Sequence, residues 1–356
     1  MSKLVILQTV VPDYRKKLFI HLKKELGGNF EVFGGKYYFE KTVKTDESFS
    51  LLQTVVNKYF FKRKFLFQFG MWSRVFQKNT LIIELNPRII SNWLILIIRK
   101  VLCKQTVLWG HAWPRKGEHS TTDSIRGVMR NLSSSILVYT KTQKKELQKK
   151  MPNKKINCAP NSLLFKDEME THDDTKQINN IIYVGRLTKE KKPMLLLKSF
   201  AKVLNKLPDN AKLILVGDGD EKSNIEQYVN KKKLNNRVEV LGHIGDYNKL
   251  KSLYKTSLLS VSPGYIGLSV TQSFSFGVPM IVSLNENHSP EIESVKSGFN
   301  AEFFETDKVE SLGDKILLFY QNKASWVIKR KSVLDYCKNE YSIEAMSQGF
   351  LDLIEC

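Results

Sequence analysis

Cysteine is scarce in this chain. Cys103, Cys158, Cys337 and Cys356 lie far apart and form no CxxC pair. That argues against a disulfide framework or a structural zinc site, and it fits a reducing cytoplasm. The six histidines add no metal centre, because no pair has zinc-ligand spacing. His21 falls on a basic helix, His119, His172 and His288 fall in polar loops, and His111 and His243 follow expected strands. Long hydrophobic runs are also missing. The longest, residues 93–98, meets Arg99 and Lys100, well short of the ~20 residues that span a bilayer. The apolar run at the start is too short for a signal peptide, so a soluble or peripheral protein is expected. Several catalytic signatures are absent: a Walker loop, a G-x-S-x-G elbow and a workable Cys–His arrangement. No RRM, KH or helix-turn-helix signature accompanies the charge, so no specific nucleic-acid partner is expected. Negative charge is in short supply, with 36 Asp and Glu against 56 Lys and Arg, a net +20. Such a surface favours polyanions, anionic headgroups or phosphorylated substrates, although solvated lysine faces account for part of the excess.

What the chain does have is alternation. Its 356 residues, 42% hydrophobic and 11% aromatic, suffice for two ordinary domains. Apolar strands are expected at 3–10, 30–33, 81–84, 106–109 and 136–139, with helices at 14–26, 91–102 and 142–150. Residues 166–177 are polar and largely acidic, without apolar periodicity, and read as an interdomain linker or surface loop. A second series of strands follows at 180–184, 211–216, 238–241, 258–261, 279–282 and 301–304. Helices at 193–207, 223–232, 248–255 and 268–276 separate them, and two more end the chain. Strands alternating with helices imply βαβ units and parallel sheets. The expected fold class is therefore α/β, with two doubly wound Rossmann-like domains facing a central cleft. The expected boundaries are 1–165, a linker at 166–179, 180–335, and a C-terminal helix at 336–356 that returns to the first domain. Ligands of such sheets sit at the carboxyl ends of the strands. Trp113, Gly185, Gly217, His243 and Gly264 all lie just past such ends.

Residues 262–281 carry the densest pattern: a strand end, Gly264 and Gly267 in a turn, a helix, Gly277 as its stop, then Pro279 opening a strand. Glycines tolerate the tight backbone. A turn feeding a helix start aims backbone N–H groups at one spot, which suits an anion such as a diphosphate. The alternative is a helix that happens to begin after glycines. Arg186 and Lys191 follow another strand end, and they suit a diphosphate as a planar fork and a point charge. A solvated basic turn is the competing reading. The Asp218–Asp220 pair sits in a tight turn after a buried strand and reads as turn and capping chemistry. His111, between Gly110 and Ala112, is a candidate for positioning substrate.

In order, these motifs resemble the nucleotide-sugar-dependent glycosyltransferases of the large retaining family 4, with the GT-B fold. The matching residues are Tyr183-Val-Gly-Arg-Leu with Lys191, Leu215-Val-Gly-Asp-Gly, Val240-Leu-Gly-His243, Gly267-Leu through Gly277-Val-Pro-Met-Ile281, and Pro290-Glu-Ile with Gly298. They span about residues 180–305, whereas the first half matches only loosely, through Trp109-Gly-His-Ala. The resemblance implies that Arg186, Lys191 and the amides at Gly267 and Leu268 hold the donor diphosphate. It places His243 and Gln272 near the nucleoside, and Gly264, Tyr265 and Ile266 in the donor-sugar loop. It makes His111 a positioning residue and puts Pro12, Asp13, Tyr14 and Arg15 in a loop on the acceptor side. The first domain would then bind acceptor and the second the nucleotide-diphosphate sugar, a co-substrate, with no cofactor and no bound metal. One departure matters. The family usually carries two glutamates eight positions apart, where this chain has Gly264 and Gln272.

The implied activity is sugar transfer with retention to a lipid-linked saccharide in bacterial surface polysaccharide assembly, such as O-antigen or capsule. Segments 14–24 and 57–67 mix cations with aromatic and aliphatic residues. They suit docking on the anionic inner face of the plasma membrane. The competing readings are a nucleotide-sugar epimerase and a degenerate fold serving as a partner or regulatory subunit. The missing glutamate is the best support for the regulatory subunit.

Overall fold

The computed structural model describes residues 3–354 except 42, 115, 116, 118, 119, 173 and 175, so His119 and Cys356 lie outside the described residues. The chain divides into two compact units, Met1–Leu163 with Ser342–Cys356, and Leu164–Tyr341.

The first unit opens with β1 (Lys3–Gln8), α1 (Lys16–Leu26), β2 (Phe30–Gly34) and β3 (Leu52–Thr54). A hairpin of β4 (Val56–Phe60) and β5 (Phe65–Phe69) follows, then the short α2 (Trp72–Val75). The winding resumes with β6 (Asn79–Glu84), α3 (Ile90–Val101), β7 (Thr106–Trp109), α4 (Asp123–Leu132), β8 (Ser135–Val138), α5 (Lys141–Lys150) and β9 (Lys155–Cys158). Seven strands make one sheet in the order β3-β2-β1-β6-β7-β8-β9, and every pair is parallel. Its central strands are covered on both faces, which is why they read as unbroken apolar runs. The winding direction reverses between β1 and β6, so the carboxyl ends of these two strands flank a switch point.

Segment 57–67 forms most of the hairpin. Its residues pair across two antiparallel strands, with Tyr59 opposite Leu66 and Phe60 opposite Phe65. Phe61, Lys62 and Arg63 turn the tip with φ of 49°, 53° and 63°. Helix α4 and strand β9 were not anticipated, because both are rich in polar residues. Arg99, the charge that interrupts the apolar run 93–98, is fully buried. Its guanidinium donates to the carbonyls of Asn79 and Gln105 at 2.7 Å and of Val75 at 2.9 Å.

The second unit runs β10 (Asn180–Val184), α6 (Pro193–Val203), β11 (Leu213–Val216), α7 (Lys222–Lys231), β12 (Val238–Gly242), α8 (Tyr247–Lys255) and β13 (Ser257–Ser262). It continues through α9 (Ser269–Phe274), β14 (Met280–Ser283), β15 (Ala301–Phe304), α10 (Val309–Gln321) and α11 (Lys323–Glu340). Six parallel strands take the order β12-β11-β10-β13-β14-β15, and the winding reverses between β10 and β13. One apolar core joins this sheet to α6 and α10, and Phe319 stacks on Trp326 at 4.3 Å. Residues 166–179, read as a linker, are counted with this unit and tied to it. Glu170 pairs with Lys251 at 2.8 Å, Thr171 accepts from Arg330 at 3.1 Å, and Asn179 accepts from Lys323 at 2.6 Å. Acidic and amide side chains that show no apolar periodicity still find cationic partners here.

After Tyr341 the chain rejoins the first unit as α12 (Ile343–Leu351), capped by the Ser342 hydroxyl, which accepts from Ala345 N at 3.1 Å. Phe350 meets Trp109 edge-on at 4.8 Å. Gly349 lies so close to β9 that a Cβ there would come within 2.3 Å of the Cys158 carbonyl. Among the described residues no helix is long and apolar enough to cross a membrane.

Candidate functional site

In the second unit the switch point brings two loops together. One follows β10 and carries Arg186 and Lys191; the other follows β13 and runs through Gly264 to Leu268. The first loop is held from its far side by the turn after β11. Gly185 N donates to Val216 O at 3.0 Å, and Leu187 N to Asp218 O at 2.9 Å. Gly217 and Gly219 have φ of 143° and 155°, which L side chains rarely adopt. A Cβ on Gly217 would sit 1.8 Å from Gly185 O, and one on Gly219 2.4 Å from Leu187 O. Asp218 directs one carboxylate oxygen at Gly219 N, 2.8 Å away. The Asp218–Asp220 motif thus works as a turn beneath the Arg186 loop.

Both cations face the second loop. Arg186, exposed, donates to Tyr265 Oη at 3.1 Å. Lys191 Nζ donates to Tyr265 O at 2.8 Å and stands 3.4 Å from the centre of the Tyr265 ring. Burial pushes the Lys191 ammonium down to about 8, nearby Arg186 adds to the effect, and the Glu291 carboxylate opposes it. Gly267 faces the same ammonium: a Cβ there would find only Lys191 Nζ, at 3.8 Å. Gly264 is a different case, and its requirement is space. A Cβ at this position would meet Glu190 O at 2.3 Å and Lys191 Cα at 2.9 Å. The position that carries a glutamate in the family therefore lies against the backbone of Lys191.

His288, read from sequence as a polar-loop residue, fixes the second loop. Its Nε2–H donates to Ser283 O at 3.0 Å, and its Nδ1 accepts from Ile266 N at 3.0 Å. That pattern needs the neutral ring, and burial indeed lowers its proton affinity. Leu268 precedes α9, Gln272 lies half-buried one turn into that helix, and Gly277, with φ of 67°, closes the turn that follows its end at Phe274. His243 is exposed directly after β12, two strands from β10 in the sheet. The structure thus joins Arg186, Lys191, Gly264, Tyr265 and Gly267 in one cluster, while His243 and Gln272 stand at neighbouring positions on the carboxyl edge.

In the first unit the corresponding edge holds a carboxylate that sequence reading missed. Glu84, at the end of β6, accepts from the amide and the hydroxyl of Thr9, just past the end of β1. Burial raises its proton affinity; the Thr9 bonds and the charge of Arg15 work against that. His111, exposed after β7, lies edge-on to Tyr139 at 4.9 Å, and its carbonyl accepts from Arg126 at 3.0 Å. In the loop 12–15, Asp13 and Tyr14 are exposed and Pro12 is half-buried. Arg15 does not share the loop's surface. It is turned inward, its guanidinium 4.6 Å from the Trp109 ring centre and 5.5 Å from that of Tyr139. Flat guanidinium on indole is a favourable cation–π pairing that solvent exposure would weaken.

Comparison with known proteins agrees with this architecture. A family model described as "Glycosyl transferases group 1" matches residues 165–339. An uncharacterized glycosyltransferase of Methanocaldococcus jannaschii is 32% identical over 159 residues, covering 41% of this chain and 38% of that protein. A Campylobacter jejuni alpha-1,4-N-acetyl-D-galactosaminyltransferase, named for a GalNAc-containing diNAcBac-PP-undecaprenol, is 25% identical over 207 residues, covering 56% and 55%. The matches span about a third to just over half of these curated relatives' own length. Among solved structures, Anabaena HepE in complex with UDP superposes with a TM-score of 0.70 over 100% of both chains at 14% identity, which speaks for the fold. With two parallel Rossmann-like sheets of the GT-B kind, this chain carries in its second unit the domain of the glycosyl transferases of group 1, family 4.

Proposed function

We propose that this chain transfers a sugar, with retention, from a nucleoside-diphosphate sugar to a lipid-linked saccharide in bacterial surface polysaccharide assembly. The observation that carries the donor half is the meeting of Arg186 and Lys191 with the Tyr265–Gly267 backbone at the β10–β13 switch point. UDP in the HepE complex and the polyprenyl-linked substrate in the Campylobacter relative's name support this choice of donor and acceptor class.

The bond to break joins the anomeric carbon to a diphosphate, so negative charge grows on the leaving phosphate. Arg186 offers a fork and Lys191 a point charge to that oxygen, assisted by the amides at Gly267 and Leu268. Position 264 offers no carboxylate. Front-face attack by the acceptor hydroxyl, with the leaving phosphate taking its proton, needs none. Gln272 and His243 border the nucleoside and Tyr265 the sugar, whereas Ile266, fully buried, anchors that loop through His288. His111 and the 12–14 loop serve the acceptor in the first unit, at the inner face of the plasma membrane.

A second reading, a catalytically degenerate partner subunit, draws on Gly264 alone. Thermal unfolding with UDP, GDP, dTDP and CMP separates the two in combination with a turnover assay. One nucleotide is expected to stabilise the protein, by about 2–3 kcal/mol at ~100 times its dissociation constant. Arg186→Ala should remove most of that gain. No shift with any nucleotide would count against the transferase. A shift that never leads to sugar transfer or donor hydrolysis would favour the partner subunit.

A further inference from the structure

We propose that the first unit docks on an anionic lipid bilayer through the outer stripe of α3 and the tip of the β4–β5 hairpin. Helix α3 is apolar on opposite sides. Ile95 and Leu96 are buried in the core beside Ser91, Asn92 and Arg99. On the other side Ile90, Leu94, Ile97 and Val101 fall within about 60° of one another at 3.6 residues per turn. These four are 38%, 42%, 48% and 76% exposed. Apolar residues all round a helix call for cover on every side. The adjacent α4 adds exposed Ile125 and Val128.

The hairpin tip extends the same platform. Arg88, just before α3, donates from Nε to Lys64 O at 2.8 Å and from Nη2 to Arg63 O at 2.9 Å. A backbone bridge joins Leu66 to Ile89. Fixed in this way, the tip presents Phe61, 75% exposed, and Phe65 beside it.

Charge selects the occupant. Between residues 50 and 110 the sequence has ten lysines and arginines, of which Arg99 is buried and Arg74 pairs with Glu31, and a single carboxylate, Glu84, which is part-buried against Thr9. Lys58, Lys62, Lys64 and Lys100 are exposed. A second copy of the chain would set like charge against like. Nucleic acid would lay phosphates over isoleucine, leucine and valine. A bilayer satisfies both parts, with aliphatic side chains at the acyl boundary and lysines among anionic headgroups. Segment 14–24, which looked similar in sequence, offers less: Leu18, Phe19 and Leu22 are buried and α1 packs beside α12, which leaves Tyr14 and Ile20 as its exposed large apolar side chains.

This inference deepens the lipid-linked-acceptor part of the proposed function and rests on it for its biological use, but the surface itself is tested without nucleotide. The full chain is floated with phosphatidylcholine vesicles, with and without phosphatidylglycerol. Binding is expected only with phosphatidylglycerol and should weaken with salt. Leu94→Ser/Ile97→Ser/Val101→Ser and, separately, Lys62→Glu/Lys64→Glu should each reduce it about tenfold or more. Lys144→Glu/Lys145→Glu on α5 should leave it intact. Undiminished flotation of the α3 variant would overturn the proposal. So would concentration-dependent self-association of the parent chain that this variant abolishes, since the face would then be a subunit contact. Nucleotide-induced stabilisation, measured on each variant, reports the donor site independently, so failure of one reading is distinguishable from failure of the other.

Discussion

Lys191 is held near 8, well below the ordinary 10.5 of a lysine, by burial against Tyr265 and Gly267 and by nearby Arg186. The fold disfavours the charged form, so this residue costs stability below about pH 8, and the cost fades as pH rises toward the unfolded value. An arriving diphosphate reverses the preference by adding negative charge beside the ammonium. Nucleotide binding should therefore take up a proton above about pH 8. Calorimetry in two buffers of different ionisation enthalpy should show that uptake, with affinity falling by up to about tenfold per pH unit there and nearly flat below. Lys191→Arg should bind with little pH dependence over the same range. At Gly264, Ala is expected to cost about 2 kcal/mol, because its Cβ has no room against Glu190 O and Lys191 Cα. Thermal unfolding of Gly264→Ala, with and without the nucleotide that stabilises the parent chain, reads both the loss and the displacement of Lys191. These residues differ in how far sequence reveals them. Arg186, Lys191 and Gly267 stood out because each follows a strand end or a glycine turn. Glu84 and His288 did not, because what gives each its role lies elsewhere: Thr9, 75 residues away, and Ile266, 22 residues away.

Among the elements, the parallel strands were legible because burial on both faces writes an unbroken apolar run. The hairpin was not. Its tip, Phe61 to Arg63, has positive φ at each position without the glycine or asparagine that usually announces a turn. Helix α11 hides another device. Arg330, almost fully buried, donates to Ser257 O at 2.6 Å, Phe276 O at 3.3 Å and Tyr254 O at 3.4 Å, joining α11 to the ends of three other segments. Burial lowers its proton affinity to about 10, still far above neutrality. Arg330→Ala should destabilise the second unit by about 3 kcal/mol, since three buried carbonyls lose their donor. Urea unfolding followed by Trp326 fluorescence measures this, and Arg330→Lys should recover only part of it.

At the scale of the molecule, the order of the elements along the chain and their grouping in space do not coincide. The first unit is built from both ends of the sequence, and α12 completes it. A chain ending at residue 341 should expose the side of Trp109 that Phe350 covers and the groove beside Cys158 that Gly349 fills. Limited proteolysis should then cut the first unit far faster while residues 164–341 resist, and whichever nucleotide stabilises the parent chain should still protect the resistant fragment. The same discontinuity sets a timetable at the ribosome. Residues 164–341 emerge as a complete folding unit, whereas the unit begun before them waits for nearly two hundred more residues. At roughly 5–20 residues per second that wait lasts about 10–40 s. During it, the face of Trp109 and the groove beside Cys158 that the last helix covers stay open to solvent on the nascent chain.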